Sequence, residues 1–247
     1  MRQAFVTTSW DDGHPLDLRI AGLLARYGLA GTFYVPNRSA RPLMVKQQLL
    51  ALRRPGMEIG SHSMTHPELT KLSREAAMRE LTASKDALES ALGDPVTAFC
   101  YPFGAFNRSL SRQVRAAGYQ LGRTTVAFRT GPVLNPYQMP VSFQFVTHST
   151  RVYVSHALKE ANFRGLRNWL GFWHCERSLP RLSALMVDHV LRNGGVLHIW
   201  GHSWEIEQLN LWSALEDVLR MIAERRTGFT PLTNSQVVNT TAVSEES

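Results

Sequence analysis

The sequence predicts an α/β fold in which a parallel sheet closes, or nearly closes, into a barrel. Two observations carry this expectation: short β-rich runs alternate with amphipathic helical segments, and the polar clusters that hold the reactive side chains sit where those runs end. An open doubly wound sheet is the alternative, but the connection from the first strand to the first helix has no glycine-rich phosphate loop. A chain of 247 residues with 44% hydrophobic and 19% charged content suits one soluble domain of this kind.

Residues 4–7 form the first apolar run and deliver Thr8-Ser9-Trp10-Asp11-Asp12-Gly13-His14 into a loop. Leu16, Ile20, Leu23 and Leu24 then recur at helical spacing up to a glycine stop at Gly28. Residues 31–35 are a second strand, residues 43–53 a helix ended by Pro55-Gly56, and residues 57–60 a third strand that opens onto Ser61-His62-Ser63-Met64-Thr65-His66-Pro67. Ser73 caps a helix that reaches Leu92 and stops at Gly93. Residues 96–101 make a fourth strand broken by Pro102-Phe103-Gly104, Asn107 caps a helix through Ala117, and residues 118–122 make a fifth strand. The pattern weakens between Thr124 and Arg177, with a β-like stretch at 141–146 and one helix near 154–162. A helix over 180–193, a buried strand over 195–201 and a helix over 208–225 complete a single domain spanning 1–238. The small polar residues 239–247 are expected to be a disordered tail.

Composition excludes some classes of function. No apolar run approaches the roughly eighteen residues of a membrane span, and Cys100 and Cys175 make no disulfide framework. Residues after Met1 move directly into the first strand with no signal-peptide pattern, so a cytoplasmic location is expected. The net charge of +7 comes from scattered arginines without a nucleic-acid-binding motif, which disfavours a DNA or RNA partner and suits a phosphorylated one.

Asp11 and Asp12 are adjacent carboxylates at a strand end, and the turn at Gly13 lets both reach one pocket, where their like charges require a cation. His62 and His66 lie four residues apart; in a helical turn both imidazoles share one face, about 6 Å apart at Cβ. Two histidines and one carboxylate leave coordination positions open for water and substrate, as in catalytic rather than structural zinc sites. Such an ion lowers the pKa of bound water and polarises a carbonyl. One aspartate of the pair then ligates, and its neighbour is free as general base. An acid for the leaving group is available at His198 or His202. The reactive residues collect at strand ends, which selects His202; a mid-strand His198 is expected to be a core histidine.

Trp10-Asp11-Asp12-Gly13, Gly31-Thr32-Phe33-Tyr34, residues 58–67, Tyr101-Pro102-Phe103-Gly104 and Trp200-Gly201-His202 resemble, in order and spacing over about residues 5–205, the polysaccharide deacetylase (NodB-homology) family, carbohydrate esterase family four. The resemblance implies a distorted (β/α) barrel with about seven parallel strands. It also implies a metal-dependent deacetylase that hydrolyses the N-acetyl group of an amino sugar in a glycan or glycan precursor. On this resemblance Asp11 is the base, Asp12, His62 and His66 hold a divalent metal, most often zinc, and His202 is the acid. The backbone N–H of Phe103 would meet the oxyanion. His14, Tyr101, Trp204 and Glu205 become candidate substrate contacts, with Trp204 as a sugar platform, although His14 equally suits a helix start.

There are two departures from the family pattern. Cys100 stands where the family often has an arginine that orients the base, and no Asp-Trp motif supports His202, so the partners of Asp11 and His202 are left open. The cytoplasmic expectation directs the substrate toward a nucleotide- or lipid-linked N-acetylated amino sugar. Two rival functions share the barrel: metal-dependent hydrolysis of a non-sugar amide, and a catalytically silent carbohydrate-binding protein. The complete set Asp11, Asp12, His62, His66 and His202 argues against silence.

Overall fold

The strand β1 (Ala4–Asp11) lies at the centre of the sheet, and all eight of its side chains are buried. Residues 3–159 and 161–243 are described in the computed structural model of the chain. The strand runs four residues past its apolar start because its hydroxyls find partners inside the protein. Thr7 Oγ1 donates to Asn234 Oδ1 at 2.8 Å, Thr8 Oγ1 to Ala30 O at 3.0 Å, and Ser9 Oγ lies 2.9 Å from His198 Nε2. Burial of a hydroxyl so satisfied costs little.

Every strand pairing is parallel. β1 is flanked by β2 (Gly31–Val35), in register from Thr8↔Gly31 to Asp11↔Tyr34, and by β7 (Gly195–Gly201), from Ala4↔Gly195 to Trp10↔Gly201. Beyond β2 come β3 (Met57–Ser61), β4 (Ala98–Cys100) and β5 (Leu121–Arg123), and beyond β7 lies β6 (Phe143–Gln144). The two-residue β8 (Thr230–Pro231) pairs with β1 at Phe5 and Val6 and is too short to leave a periodic signal in sequence. β5 and β1 are four strands apart, about 19 Å on a flat sheet, yet Arg123 and Asp11 form an ion pair. The sheet is therefore curled into a distorted, open barrel, the expected fold. Its outermost strands β5 and β6 are linked by residues 139–144, where Met139 bridges Arg123.

Helices pack around this sheet on their apolar faces. α1 (Asp17–Arg26) buries Ile20, Ala21 and Leu24, and α2 (Lys46–Leu52) buries Leu49 and Leu52. α3 (Arg74–Leu92) starts where Ser73 accepts from the Ala76 N–H and ends at Gly93, whose φ of 73° suits a glycine C-cap. Asn107 caps α4 (Arg108–Ala116) in the same way. The weakly patterned stretch holds two helices, α5 (Thr150–Lys159) and α6 (Phe163–Gly171), where one was expected. Tertiary packing rather than periodicity fixes them. Trp169 is fully buried, stacked on Phe128 at 5.8 Å and tilted against Tyr153 at 5.2 Å, and such pairs contribute about 0.5–1.5 kcal/mol each beyond their burial.

After α7 (Leu179–Asn193), the helix expected over 208–225 is present but starts later, as α9 (Trp212–Glu224), and a short helix that was not expected, α8 (Ser203–Gln208), precedes it, the two separated where Asn210 takes a φ of 54°. The C-terminal boundary also needs correction. α10 (Asn234–Val243) continues through the first half of the stretch expected to be a tail, because Val237 and Val238 are buried and the Thr241 hydroxyl donates back to Val237 O at 2.9 Å. Residues 244–247 of that expected tail lie outside the described residues. No helix among the described residues is long and apolar enough to cross a membrane.

Candidate metal and catalytic site

The C-terminal ends of β1, β3, β4, β5 and β7 meet around a cleft of about 1360 Å³ whose lining includes Asp11, Asp12, His62, His66, Phe103 and His202. Asp11 is the last residue of β1. Asp12 follows in the left-handed region with φ 76°, and Gly13 continues the turn with φ 60°. This reversal at Asp12, one residue earlier than the expected glycine turn, brings two successive side chains to the same pocket. His62 and His66 converge by a different route from the expected helical turn. The segment after β3 is irregular, Ser63 and His66 are both left-handed (φ 67° and 57°), and Ser63 Oγ accepts from the His66 N–H at 3.0 Å. With Phe103 (φ 59°), four of the site residues occupy a region that non-glycine residues seldom visit, the kind of strain that surrounding structure must hold in place at functional sites.

Three donor atoms point at one spot. His62 Nε2 and His66 Nε2 are 3.1 Å apart, and Asp12 Oδ1 lies 3.9 Å and 3.6 Å from them. Donors so spaced can share one ion about 2.1 Å from each, the bond length of zinc to nitrogen or oxygen. Their chemistry fits as well. His62 Nδ1 faces the Cys100 carbonyl at 2.9 Å and can only donate there, which leaves Nε2 as the lone-pair nitrogen toward the cluster. Burial lowers the His62 pKa to about 4, so the ring is neutral near pH 7, as ligation requires. Asp12 Oδ2 accepts from the Trp204 indole N–H at 2.9 Å, which turns Oδ1 to the histidines. A second cluster, Asp11, His62 and Cys100, is less suited, because burial pushes the Cys100 thiol well up and the protonated sulfur donates toward Asp11 Oδ2 at 3.7 Å.

Asp11 and His202 each have a partner that the sequence did not reveal. Asp11 Oδ1 accepts from the Arg123 guanidinium, which is wholly buried. Burial alone would raise the Asp11 carboxyl, but Arg123, with the His62 and His202 rings nearby, holds it below the usual carboxylate range. Cys100 and Arg123 are register partners on β4 and β5. Neighbours in register on parallel strands project to the same face, so an arginine one strand over reaches the same carboxylate. The available signal was an arginine closing a short β-rich run, at the level of the other strand ends. His202 Nδ1 pairs with Glu205 Oε2 at 2.5 Å, and that oxygen also accepts from Gln144 Nε2 at 3.0 Å. Burial alone would lower the His202 pKa, but the Glu205 hydrogen bond, with the Asp11 and Asp12 carboxylates, holds it above the ordinary value.

The candidate substrate contacts each have partners within the protein. Glu205 is occupied with His202 and Gln144. Trp204 is held by Asp12 on its edge and covered by the Arg41 guanidinium, 3.6 Å from the ring centre, so that face is not an open sugar platform. Tyr101, the residue after β4, touches the wall of the cleft but is fully buried, its hydroxyl donating to Tyr137 O at 2.9 Å. His14 Nδ1 accepts from the Leu16 N–H at 3.2 Å, the helix-start role. Phe103 exposes 68% of its surface, its ring 4.8 Å from His66, and its N–H has no hydrogen-bond partner among the described residues. His198 is a satisfied core residue: Nδ1 donates to Pro140 O at 3.0 Å, Ser9 Oγ meets Nε2, and burial lowers its pKa to about 3. Asp17, its carboxyl pushed well up by burial, accepts from the Ser203 hydroxyl at 2.5 Å and so ties the residue after His202 to α1.

An open parallel α/β barrel with two histidines and a carboxylate converging at its strand ends is an arrangement suited to metal-assisted hydrolysis. Residues 1–122, just under half of the chain, match the family model described as polysaccharide deacetylase. Over 115 residues the chain is 30% identical to the peptidoglycan-N-acetylmuramic acid deacetylase PdaC of Bacillus subtilis, a stretch that is 46% of this chain and 24% of PdaC. Over 113 residues it is 27% identical to the peptidoglycan-N-acetylglucosamine deacetylase PgdA of Listeria monocytogenes, 44% of this chain and 23% of PgdA. The match spans less than half the length of the first curated relatives. The solved structure of PdaC superposes with a TM-score of 0.55 over 99% of this chain and 95% of that one, at 20% identity. The Xyl-CE4 domain of a multidomain xylanase, from the hindgut metagenome of Trinervitermes trinervoides, gives 0.58 over 97% and 91%, at 16% identity. At these identities the structures bear on the fold.

Proposed function

We propose that this protein is a metal-dependent amidohydrolase that removes the acetyl group from an N-acetylated amino sugar of a glycan or glycan precursor. The observation that carries the reading is the convergence of Asp12, His62 and His66 on one point beside an Asp11 held ionised by Arg123. A divalent cation held by those three residues, zinc by their donor set, supplies Lewis acidity toward the amide carbonyl and a more acidic water.

Asp11, ionised in a buried pocket, takes the proton from the attacking water. His202, its pKa raised by the Glu205 hydrogen bond, gives a proton to the departing amine. The N–H of Phe103, a left-handed residue lining the cleft whose N–H has no hydrogen-bond partner among the described residues, donates to the oxyanion in this reading. The curated relatives are named for peptidoglycan amino sugars, which supports the sugar class, and a cleft of about 1360 Å³ has room for more than one sugar ring. A nucleotide- or lipid-linked precursor would accord with a cytoplasmic site of action, and a finished wall glycan with an extracellular one. Acetate release from each substrate class, with and without chelator, tests the reading; release from none, or release unaffected by chelation, would overturn it.

The pH dependence offers a second test. The base must be ionised and the acid protonated, so the rate should be bell-shaped, with the acid limb set by Asp11 and the alkaline limb by His202. Glu205→Gln removes the largest influence raising His202, so the alkaline limb is expected to move to lower pH. His198→Asn is expected to leave that limb in place and to lower the thermal midpoint instead. An unmoved limb in the Glu205 variant would remove His202 from the acid role.

A further inference from the structure

The helices α5 and α6 face the cleft with Tyr153, Ala157 and Asn162, yet their outer faces are unusually apolar for a surface. Of the ten large apolar side chains left exposed among the described residues, Leu158, Phe163, Leu170 and Phe172 fall within this one stretch, at 56%, 66%, 54% and 58% exposure. They recur with arginine at helical spacing. Arg151, Ser155 and Leu158 lie at i, i+4 and i+7 on α5, and Phe163, Arg167 and Leu170 do so on α6, all exposed. The opposite face of α6 is pinned by buried Gly165 and Trp169, which fixes the outward direction of this stripe.

Residues 150–172 carry Arg151, Lys159, Arg164 and Arg167 against a single acid, Glu160. None of the three arginines is ion-paired among the described residues. A face of exposed Leu and Phe flanked by unpaired guanidinium groups has the composition of an interfacial helix, whose apolar residues enter the headgroup boundary while arginines reach the lipid phosphates. A second copy of the chain is a poor occupant of the same face, since a two-fold contact would set arginine against arginine.

We propose that the outer face of α5 and α6 docks this protein on an anionic membrane surface. The inference is independent of the reaction proposed above. Its test is sedimentation of the full chain with vesicles of phosphatidylcholine alone and of phosphatidylcholine with phosphatidylglycerol. Binding is expected to the anionic vesicles only, and to weaken as salt rises. Two double variants, Arg164→Glu with Arg167→Glu and Phe163→Ser with Leu170→Ser, are each expected to weaken it by roughly tenfold or more while leaving the thermal midpoint unchanged, because the altered side chains are exposed. Failure of the wild type to bind anionic vesicles at low salt would overturn the proposal. So would binding that survives either double variant, or a concentration-dependent dimer lost in these variants, which would make a second copy the occupant.

Discussion

His62→Ala and His66→Ala are each expected to abolish tight binding of a divalent cation and, with it, turnover, while the barrel stays folded. Each removes one of three donors that lie 3.1 to 3.9 Å apart, and the two that remain cannot close the site. Asp12→Asn should behave in the same way. Asp11→Asn should separate the two aspartates by retaining the metal and losing turnover by roughly 10²- to 10⁴-fold, the usual contribution of a positioned base. Metal content after gel filtration, read beside acetate release, distinguishes these outcomes. Full activity in a chelated protein would end the metal reading, and a metal-free Asp11→Asn beside a metal-loaded Asp12→Asn would exchange their roles.

Arg123→Met is expected to destabilise the fold by about 3–5 kcal/mol, the range for removing one partner of a buried ion pair. Arg123 is fully buried, with its guanidinium carbon 5.2 Å and 4.9 Å from the ring centres of Tyr34 and Trp200, so no water replaces it cheaply. In the native protein the Asp11 carboxyl is held below its ordinary value. The stability this gives is fully present above the unfolded pKa and is lost as the pH falls through the native one. Without Arg123 the largest influence opposing burial is gone and that pKa rises, so the acid limb of the rate profile should move to higher pH. Adding Asp11→Asn to Arg123→Met should restore much of the stability, since no charge is then stranded, without restoring turnover. Urea midpoints and rate profiles for the single and double variants measure both effects; an unmoved acid limb with native stability would show that Arg123 does not orient the base.

Much of the fold was legible because its signals are local. Apolar runs of four or five residues, a Ser cap at Ser73 and a glycine stop at Gly93 depend on neighbours in sequence, and the strands and helices they announce are present. Where local signals were weak, expectation and structure part. α6 is held by Trp169 packing on Phe128, forty-one residues away in sequence, and α10 is held in part by the bond between Asn234 and Thr7 on β1. No window of periodicity contains such pairs. Asp11, Asp12, His62, His66 and His202 were identifiable because each closes or follows a strand and parallel strands end on one side of the sheet.

The chain order of residues thus settles which side chains arrive at the cleft, and it does so through strand alternation and turn chemistry alone. Which of them touch is a property of the curled sheet. Arg123 on β5 meets Asp11 on β1 only because four intervening strand spacings, about 19 Å when flat, are bent into an arc. Glu205 turns to His202, and Trp204 to Asp12, because the chain starts a helix at Ser203 directly after β7, setting one side chain toward the acid and the next toward the metal cluster. Sequence adjacency made both look available to a sugar, whereas hydrogen bonds that exist only in three dimensions commit them to the reactive groups.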